Sequence, residues 1–140
     1  YRSTDPDVRN TGEALWATWS TDGGRAWEET VRVTDAHEHP AEAVFLEDDT
    51  LLCFYGRRHE PFGVRAKVSH DTGRTWRDDI ELVVDDTWTH FDCGYPTVEV
   101  VDGDTLLIAW YVNKDNPEDL ERQRQCRVLR VELDELECWL

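Results

Sequence analysis

The sequence predicts an all-β fold built from repeated antiparallel sheets of four strands, the blades of a β-propeller. One turn motif occurs twice, at residues 20–27 and 69–76, with a spacing of 49 residues. Residues 40–52 also resemble residues 95–107, and β-hairpins are predicted at 41–56 and 96–112. Turn and hairpin therefore alternate along the chain. A period of about 50 residues is typical of propeller blades rather than of helical repeats.

Local composition predicts short strands throughout the chain. Runs of β-branched, aromatic and Leu residues are bounded by turns that contain Gly or Asp. The total is about nine strands, or half of one blade, one whole blade and three quarters of a third. No segment shows helical periodicity, and the polar segment 117–125 is expected to be a loop insertion. Outside the first strand of each hairpin, the predicted strands are 15–19, 30–34, 50–55, 64–68, 80–84, 105–112 and 128–133.

The repeated turn motif has a physical rationale. Its Ser and Asp oxygens, two positions apart, can accept hydrogen bonds from turn amides, and its Gly can adopt a positive φ. Its Trp is expected to pack between neighbouring elements. The pattern is Ser-x-Asp-x-Gly-x-Thr-Trp, with Ala26 in place of Thr in the first copy. A structural role is therefore predicted for Ser20, Asp22, Gly24, Trp27, Ser69, Asp71, Gly73 and Trp76.

The motif is similar to the Asp box of sialidases. Residues 55–66, the segment Asp92-Cys93-Gly94-Tyr95-Pro96 and the hairpin ending in Trp110-Tyr111 resemble the bacterial and archaeal BNR-repeat, exo-sialidase-like family. The resemblance covers most of residues 12–133. It implies a six-bladed propeller of sialidase type, well over twice this length, with this chain as a C-terminal portion of about two and a quarter blades. Because an open propeller leaves sheet edges unpaired, a homo-oligomer or missing upstream blades are expected.

Composition limits the classes of partner. The chain has 15 basic and 31 acidic side chains and a formal net charge of −16, which repels phosphate backbones and anionic bilayers. Nucleic acid is therefore not expected as a partner. No apolar run of about 18 residues predicts a membrane span. A pocket for an anionic ligand would need its own cluster of Arg side chains.

Neither a metal nor a cofactor is expected. The four Cys lack the CxxC spacing of zinc sites. Free thiols are favoured, and a disulfide between two of the four Cys is the alternative. The short segments 37–39 and 59–60 contain His and Glu, but their spacing fixes no third ligand.

Strand parity predicts where a functional site would lie. In an antiparallel meander, successive turns alternate between the two ends of the sheet. The segments 36–40, 56–63, 86–95 and 113–125 should therefore emerge together, at the end opposite the Asp boxes. They contain four of the five His residues, together with Arg57, Arg58, Asp92 and Tyr95.

Arg58 is the main candidate for contacting a substrate carboxylate. The resemblance implies an arginine triad for that carboxylate, a Tyr nucleophile backed by a Glu, and an Asp as acid or base. The guanidinium fork makes bidentate, charge-assisted hydrogen bonds to a carboxylate, and Arg57 and Arg65 are further substrate-binding candidates after Arg58. Two alternatives stay open: Arg57 and Arg58 as solvated loop charges, and Arg65 in a structural ion pair.

Tyr95 and Asp92 are the candidate catalytic residues, with Tyr111 as a further substrate-binding residue. Tyr95 follows the bend at Gly94, where its phenol could bind or attack, and Asp92 could supply acid or base chemistry. Packing by Tyr95 and capping of the turn by Asp92 are the alternatives. The leading hypothesis is an exo-sialidase-like glycoside hydrolase acting on a terminal acidic sugar of a glycan. The second is a non-catalytic Asp-box propeller that binds glycans or protein partners.

Overall fold

The computed structural model describes residues 14–47, 49–79, 81–88, 91–114 and 123–136. These residues form antiparallel sheets and one short helix, which confirms the predicted all-β class. None of the described helices is long and apolar enough to cross a membrane. The elements are β1 (Trp16–Ala17), β2 (Val31–Arg32), β3 (Glu38–Phe45), β4 (Leu51–Arg57), β5 (Phe62–Ser69), β6 (Leu82–Trp88), β7 (Cys93–Val101), β8 (Thr105–Lys114), β9 (Gln123–Glu132) and α1 (Leu133–Leu136).

The strands form three separate meanders. Their orders are β1-β2, β3-β4-β5-β6 and β7-β8-β9, so the sheets have two, four and three strands within the described residues. β3 pairs with β4 and β7 with β8, over the segments where the sequence predicts hairpins. Because consecutive strands are antiparallel neighbours, the β3–β4 turn and the second Asp box lie at one end of the four-stranded sheet. The β4–β5 turn lies at the other end.

The strands of the two larger sheets are longer than the sequence predicts, whereas β1 and β2 have two residues each and are shorter than the predicted strands 15–19 and 30–34. β3 begins at Glu38, and β6 continues to Trp88, so much of the predicted loops 36–40 and 86–95 is strand. Residues 123–125, expected to be loop, open β9, where they pair with the end of β8. The helix Leu133–Leu136 was not predicted, because one turn is too short to show a helical period.

The core lies between the four-stranded and three-stranded sheets. Side chains alternate along β4, so that Leu52 and Phe54 face the three-stranded sheet, and Val64, Ala66 and Val68 of β5 lie beside them. Burying a large apolar side chain contributes roughly 1.5–3 kcal/mol, and this shared face therefore holds the two sheets together. The facing residues are Cys93, Val98, Leu106, Ile108, Trp110 and Val112.

Asp85 of β6 is a buried carboxylate that links these two sheets. Its oxygens accept hydrogen bonds from the Thr87 hydroxyl (2.7 Å), the indole N–H groups of Trp88 (2.7 Å) and Trp110 (3.0 Å), and the Arg127 guanidinium (2.9 Å). Arg127 also stacks over the Trp88 ring, 4.3 Å from its centre. Asp85 is 7% exposed, and burial alone would raise its pKa, but the hydrogen bonds outweigh burial and lower the pKa.

The second Asp box closes through side-chain hydrogen bonds. The Ser69 hydroxyl donates to Asp71 at 2.7 Å and accepts from the Gly73 amide at 2.8 Å. Asp71 also accepts from the amide (2.8 Å) and the hydroxyl (2.7 Å) of Thr75. The Thr75 hydroxyl bond is the largest of the effects that lower the pKa of Asp71 to about 2. The turn is thus held by the chemistry that the motif predicts.

The first Asp box has the same core of bonds without the Thr hydroxyl. Ser20 accepts from the amide of Gly24 at 2.7 Å, and Asp22 accepts from the amide of Ala26 at 2.9 Å. Trp27 is 62% exposed, so the expectation that it packs between elements is wrong. Trp76 of the second box is half-buried, and Trp19 lies beside that box, where its indole donates to the Thr72 carbonyl at 3.0 Å.

Three cysteines in the described residues carry free thiols, namely Cys53, Cys93 and Cys126. Burial raises the pKa of Cys53 to about 12, so this thiol is protonated at neutral pH. Cys138 lies outside the described residues.

We expect Asp85→Asn to destabilise the fold by about 2–4 kcal/mol, because it removes a buried charge that accepts several hydrogen bonds. Urea unfolding at pH 7 measures the loss. Asp79→Asn is the matched control, since Asp79 forms an exposed ion pair with Arg77 and should have little effect. A loss no larger than that of the control would contradict the role assigned to Asp85.

The stabilisation of the fold by the Asp85 carboxylate should depend on pH. Because the folded pKa is depressed, its stabilisation is fully present above about pH 4, where an unfolded Asp ionises. It is lost as the pH falls through the folded pKa. The stability difference between the parent and Asp85→Asn should therefore narrow in acid, and unfolding curves collected from pH 6 down to pH 2 would test this.

Candidate functional site

The candidate site lies where β4 and β8 end and β7 begins, opposite the Asp boxes. Two glycines bring the sheets together there: a Cβ on Gly94 of β7 would lie 2.9 Å from the Cα of Gly56 of β4. Gly94 also has φ +107°, a conformation that other residues rarely adopt. The two backbones can therefore approach more closely than side chains would permit.

Asp92 is held at this point by the end of β8. The Asn113 amide N–H donates to the Asp92 carbonyl at 3.2 Å, and its side-chain Nδ2 donates to Asp92 Oδ2 at 2.8 Å. The Tyr111 hydroxyl donates to the other carboxylate oxygen, Oδ1. Asp92 thus contacts two side chains of one strand, each through a different oxygen.

Two tyrosines form an aromatic wall beside this carboxylate. The rings of Tyr95 and Tyr111 lie 5.5 Å apart with an interplanar angle of 43°. Tyr95 is 59% exposed, and the Arg58 guanidinium lies 5.3 Å from the centre of its ring. Tyr95, Tyr111 and Arg124 line an open recess of about 410 Å³. The recess therefore presents aromatic faces and positive charge to a ligand.

The Tyr111 hydroxyl is protonated at neutral pH. Burial and the hydrogen bond to Asp92 raise the pKa of Tyr111 to about 12, although the nearby charge of Arg58 partly opposes the shift. Tyr111 therefore acts as a hydrogen-bond donor in the resting site. It can act as a nucleophile only if a base removes its proton during attack, and Asp92 is in position to do so.

Arg58 is fixed by backbone carbonyls of the segment that opens β3. Its Nε donates to the His39 carbonyl at 3.0 Å, and its amide donates to the His37 carbonyl at 2.9 Å. Its Nη2 has no hydrogen-bond partner within the described part of the chain. Arg58 is therefore anchored by one side of its guanidinium and stacked on Tyr95, rather than free in solvent.

The structure does not bring Arg57 and Arg65 to the recess, which corrects their assignment as substrate-binding candidates beside Arg58. They lie on the face of the four-stranded sheet that points away from the core, because side chains alternate along β4 and β5. Arg57 pairs with Glu81 at 3.1 Å. Arg65 is 2% exposed and donates to the Asp85 carbonyl at 2.8 Å, so its role is structural.

This outer face also holds a Tyr–Glu pair that the sequence analysis missed. The Tyr55 hydroxyl donates to Glu81 at 2.6 Å, and Tyr55 is fully buried, which raises its pKa. His59 lies nearby and pairs with Glu38, with its Nε2 3.1 Å from Glu38 Oε1. A buried phenol cannot reach a ligand, and we assign the Tyr55–Glu81 pair a structural role.

Arg124, which lines the recess, and Asn113, which holds Asp92 beside it, were also missed. Their segment was expected to be a loop, whereas β8 and β9 pair so that Asn113 lies opposite Arg124. Alternation along β8 is the signal that could have found Asn113, because it places this residue on the same face as Tyr111.

The chain has a structural counterpart among solved proteins. No protein-family model matches the chain, and no curated protein matches it. The chain is similar to the crystal structure of a protein of unknown function from Dyadobacter fermentans DSM 18053, with a TM-score of 0.67 and 25% sequence identity. The similarity covers 82% of this chain and 30% of that protein. This chain therefore spans less than a third of the structure that it resembles.

We expect Gly94→Ala to disturb the site by forcing β4 and β7 apart. Gly103→Ala is the matched control, because Gly103 also has a positive φ, +82°, but no heavy atom lies within 4 Å of a Cβ there. Both variants carry the backbone cost of about 1 kcal/mol, while Gly94→Ala should lose about 1–3 kcal/mol more through overpacking. Urea denaturation measures both, and equal losses would show that the glycine contact does not matter.

Proposed function

We propose that this chain forms part of a six-bladed β-propeller of sialidase type and that its recess binds a terminal acidic sugar of a glycan. Three meanders of two, four and three strands support this fold, since they correspond to half, one and three quarters of a blade. Both Asp boxes adopt the hydrogen-bonded turn. The similar structure is also more than three times as long as the aligned part, as a larger propeller requires.

The observation that carries the proposed activity is the hydrogen bond from Tyr111 to Asp92 beside an exposed aromatic ring and an anchored arginine. A phenol paired with a carboxylate can become a nucleophile, because the carboxylate can take the proton as the oxygen attacks. This reassigns the nucleophile from Tyr95 to Tyr111. Tyr95 becomes a surface on which a sugar ring stacks.

The site residues would then act together in glycoside hydrolysis. The Tyr111 oxygen attacks the anomeric carbon while Asp92 takes its proton, and the bond to the leaving alcohol breaks. That alcohol takes a proton from solvent or from an acid outside the described residues. Water then attacks the anomeric carbon of the glycosyl–Tyr111 intermediate and loses a proton to solvent, while Asp92 returns its proton to the Tyr111 oxygen as the bond between Tyr111 and the sugar breaks. Arg58 and Arg124 would contact the sugar carboxylate, since guanidinium groups make strong bonds to it. We propose an exo-sialidase-like glycoside hydrolase on this basis.

One observation favours the alternative of a non-catalytic binding module. The pKa of Tyr111, raised to about 12 by burial and by Asp92, keeps its hydroxyl a donor rather than a nucleophile. The exposed Tyr95 ring and the arginines would bind an acidic glycan equally well without any reaction. Hydrolysis and binding assays on one protein separate the two functions.

We expect the protein to cleave fluorogenic α-glycosides of acidic sugars. Tyr111→Phe and Asp92→Asn should each lower kcat by about 10³-fold or more, because each removes one member of the nucleophile–base pair. Arg58→Ala should raise KM by about 10–100-fold through loss of a charge-assisted contact. Arg77→Ala, an exposed charge outside the recess, is the control.

The outcomes distinguish the two functions. Binding of an acidic oligosaccharide by calorimetry without cleavage of any glycoside in the panel would favour the binding module. If the protein neither cleaves nor binds acidic sugars, both functions are ruled out. An Arg58→Ala variant with unchanged KM and affinity would remove Arg58 from the site.

A further inference from the structure

We infer that Asn113 is a positioning residue that holds the Asp92 carboxylate against the Tyr111 hydroxyl. The catalytic importance of Asn113 rests on the proposed function, whereas the hydrogen bonds that position Asp92 are independent of it. Asn113 lies at the end of β8, two residues beyond Tyr111 and therefore on the same face of the strand. Neither the strand pairing nor the apolar core requires an amide at this position.

The two residues of β8 grip Asp92 from one side. Asn113 Nδ2 donates to Oδ2 at 2.8 Å, while the Tyr111 hydroxyl donates to Oδ1. The backbone N–H of Asn113 also donates to the Asp92 carbonyl at 3.2 Å. A carboxylate held at its backbone and at both oxygens cannot rotate away from the phenol. Its orientation is therefore set before any ligand arrives.

Burial makes the Asn113 bond more effective than an exposed one. Asn113 is 3% exposed, so water does not compete for its amide. Its Oδ1 has no hydrogen-bond partner among the described residues, so the hydrogen bond to Asp92 is the contact that fixes the side chain. An ionised carboxylate accepts only, and this assigns the NH₂ end of the amide to Asp92.

The chemistry of the site favours an amide here over other polar groups. A cationic donor would neutralise Asp92 and weaken it as a base. A second carboxylate would share a proton with Asp92, and a protonated Asp92 could not take the proton of Tyr111. A neutral donor orients the carboxylate and leaves its charge intact, which suits a base that takes the proton of Tyr111.

The titration of Tyr111 tests this role without any substrate. With ¹³Cζ-labelled tyrosine and Tyr111→Phe to assign the signal, Tyr111 of the parent should remain protonated up to pH 11 by NMR. In Asn113→Leu and Asn113→Thr, the carboxylate is released, and the titration of Tyr111 should move down by about one pH unit or more toward an ordinary tyrosine near pH 10. Thr suits a strand and provides a second folded variant, with a hydroxyl too short to replace the amide.

Ile108→Val is the matched control, because it loosens the core on the same strand without touching the site. It should leave the titration of Tyr111 as in the parent. If Tyr111 titrates as in the parent in both Asn113 variants, Asn113 does not position Asp92, and the inference is overturned. A shift of equal size in Ile108→Val would also overturn it, since general loosening would then explain the change.

The pH profile of hydrolysis connects the role to function. In Asn113→Asp, two carboxylates compete for one proton, so the acidic limb of kcat should move up by about 1–2 pH units. An unmoved limb in an active Asn113→Asp variant counts against the inference. If the parent cleaves no glycoside, the proposed hydrolase fails on its own, and the tyrosine titration still decides whether Asn113 positions Asp92.

Discussion

The buried carboxylate of Asp85 is the interaction on which the relative placement of the two larger sheets depends. Apolar faces attract one another with little preference for register, because burial has no direction. Asp85 adds direction, since it lies in one sheet and accepts hydrogen bonds from Trp110 and Arg127 of the other. Its carbonyl also receives the Arg65 guanidinium, which extends the network to the outer face. The fixed position of Trp110 also fixes Tyr111, the next residue of β8.

The candidate site is assembled from strand ends rather than from long loops. Asp92 and Tyr95 flank the start of β7, while Tyr111 and Asn113 lie near the end of β8, and register between these strands sets their distances. Arg58 reaches the site from the other sheet, across the contact of Gly56 with Gly94. A site built on paired strands is more rigid than one on loops, which suits a carboxylate that must stay aligned with a phenol.

The repeats carried most of what the sequence could predict. Two Asp boxes and two hairpins gave the strand count and the parity that groups Arg57, Arg58, Asp92 and Tyr95 at one end. Parity of turns does not determine which face a side chain occupies, and Arg57 was misplaced for that reason. Because side chains alternate along β4 and Gly56 lies on the core face, Arg57 lies on the outer face. Asn113 and Arg124 escaped notice because a polar strand resembles a loop when its partner strand is unknown.

The backbone of Tyr95 adopts an unfavourable conformation. Its φ of +49° lies in the left-handed region, which a tyrosine enters at a cost of about 1 kcal/mol or more. A glycine at this position would relieve that cost but would leave Tyr111 as the remaining ring of the aromatic wall. Backbone stability and aromatic contact in the recess thus favour different residues at position 95.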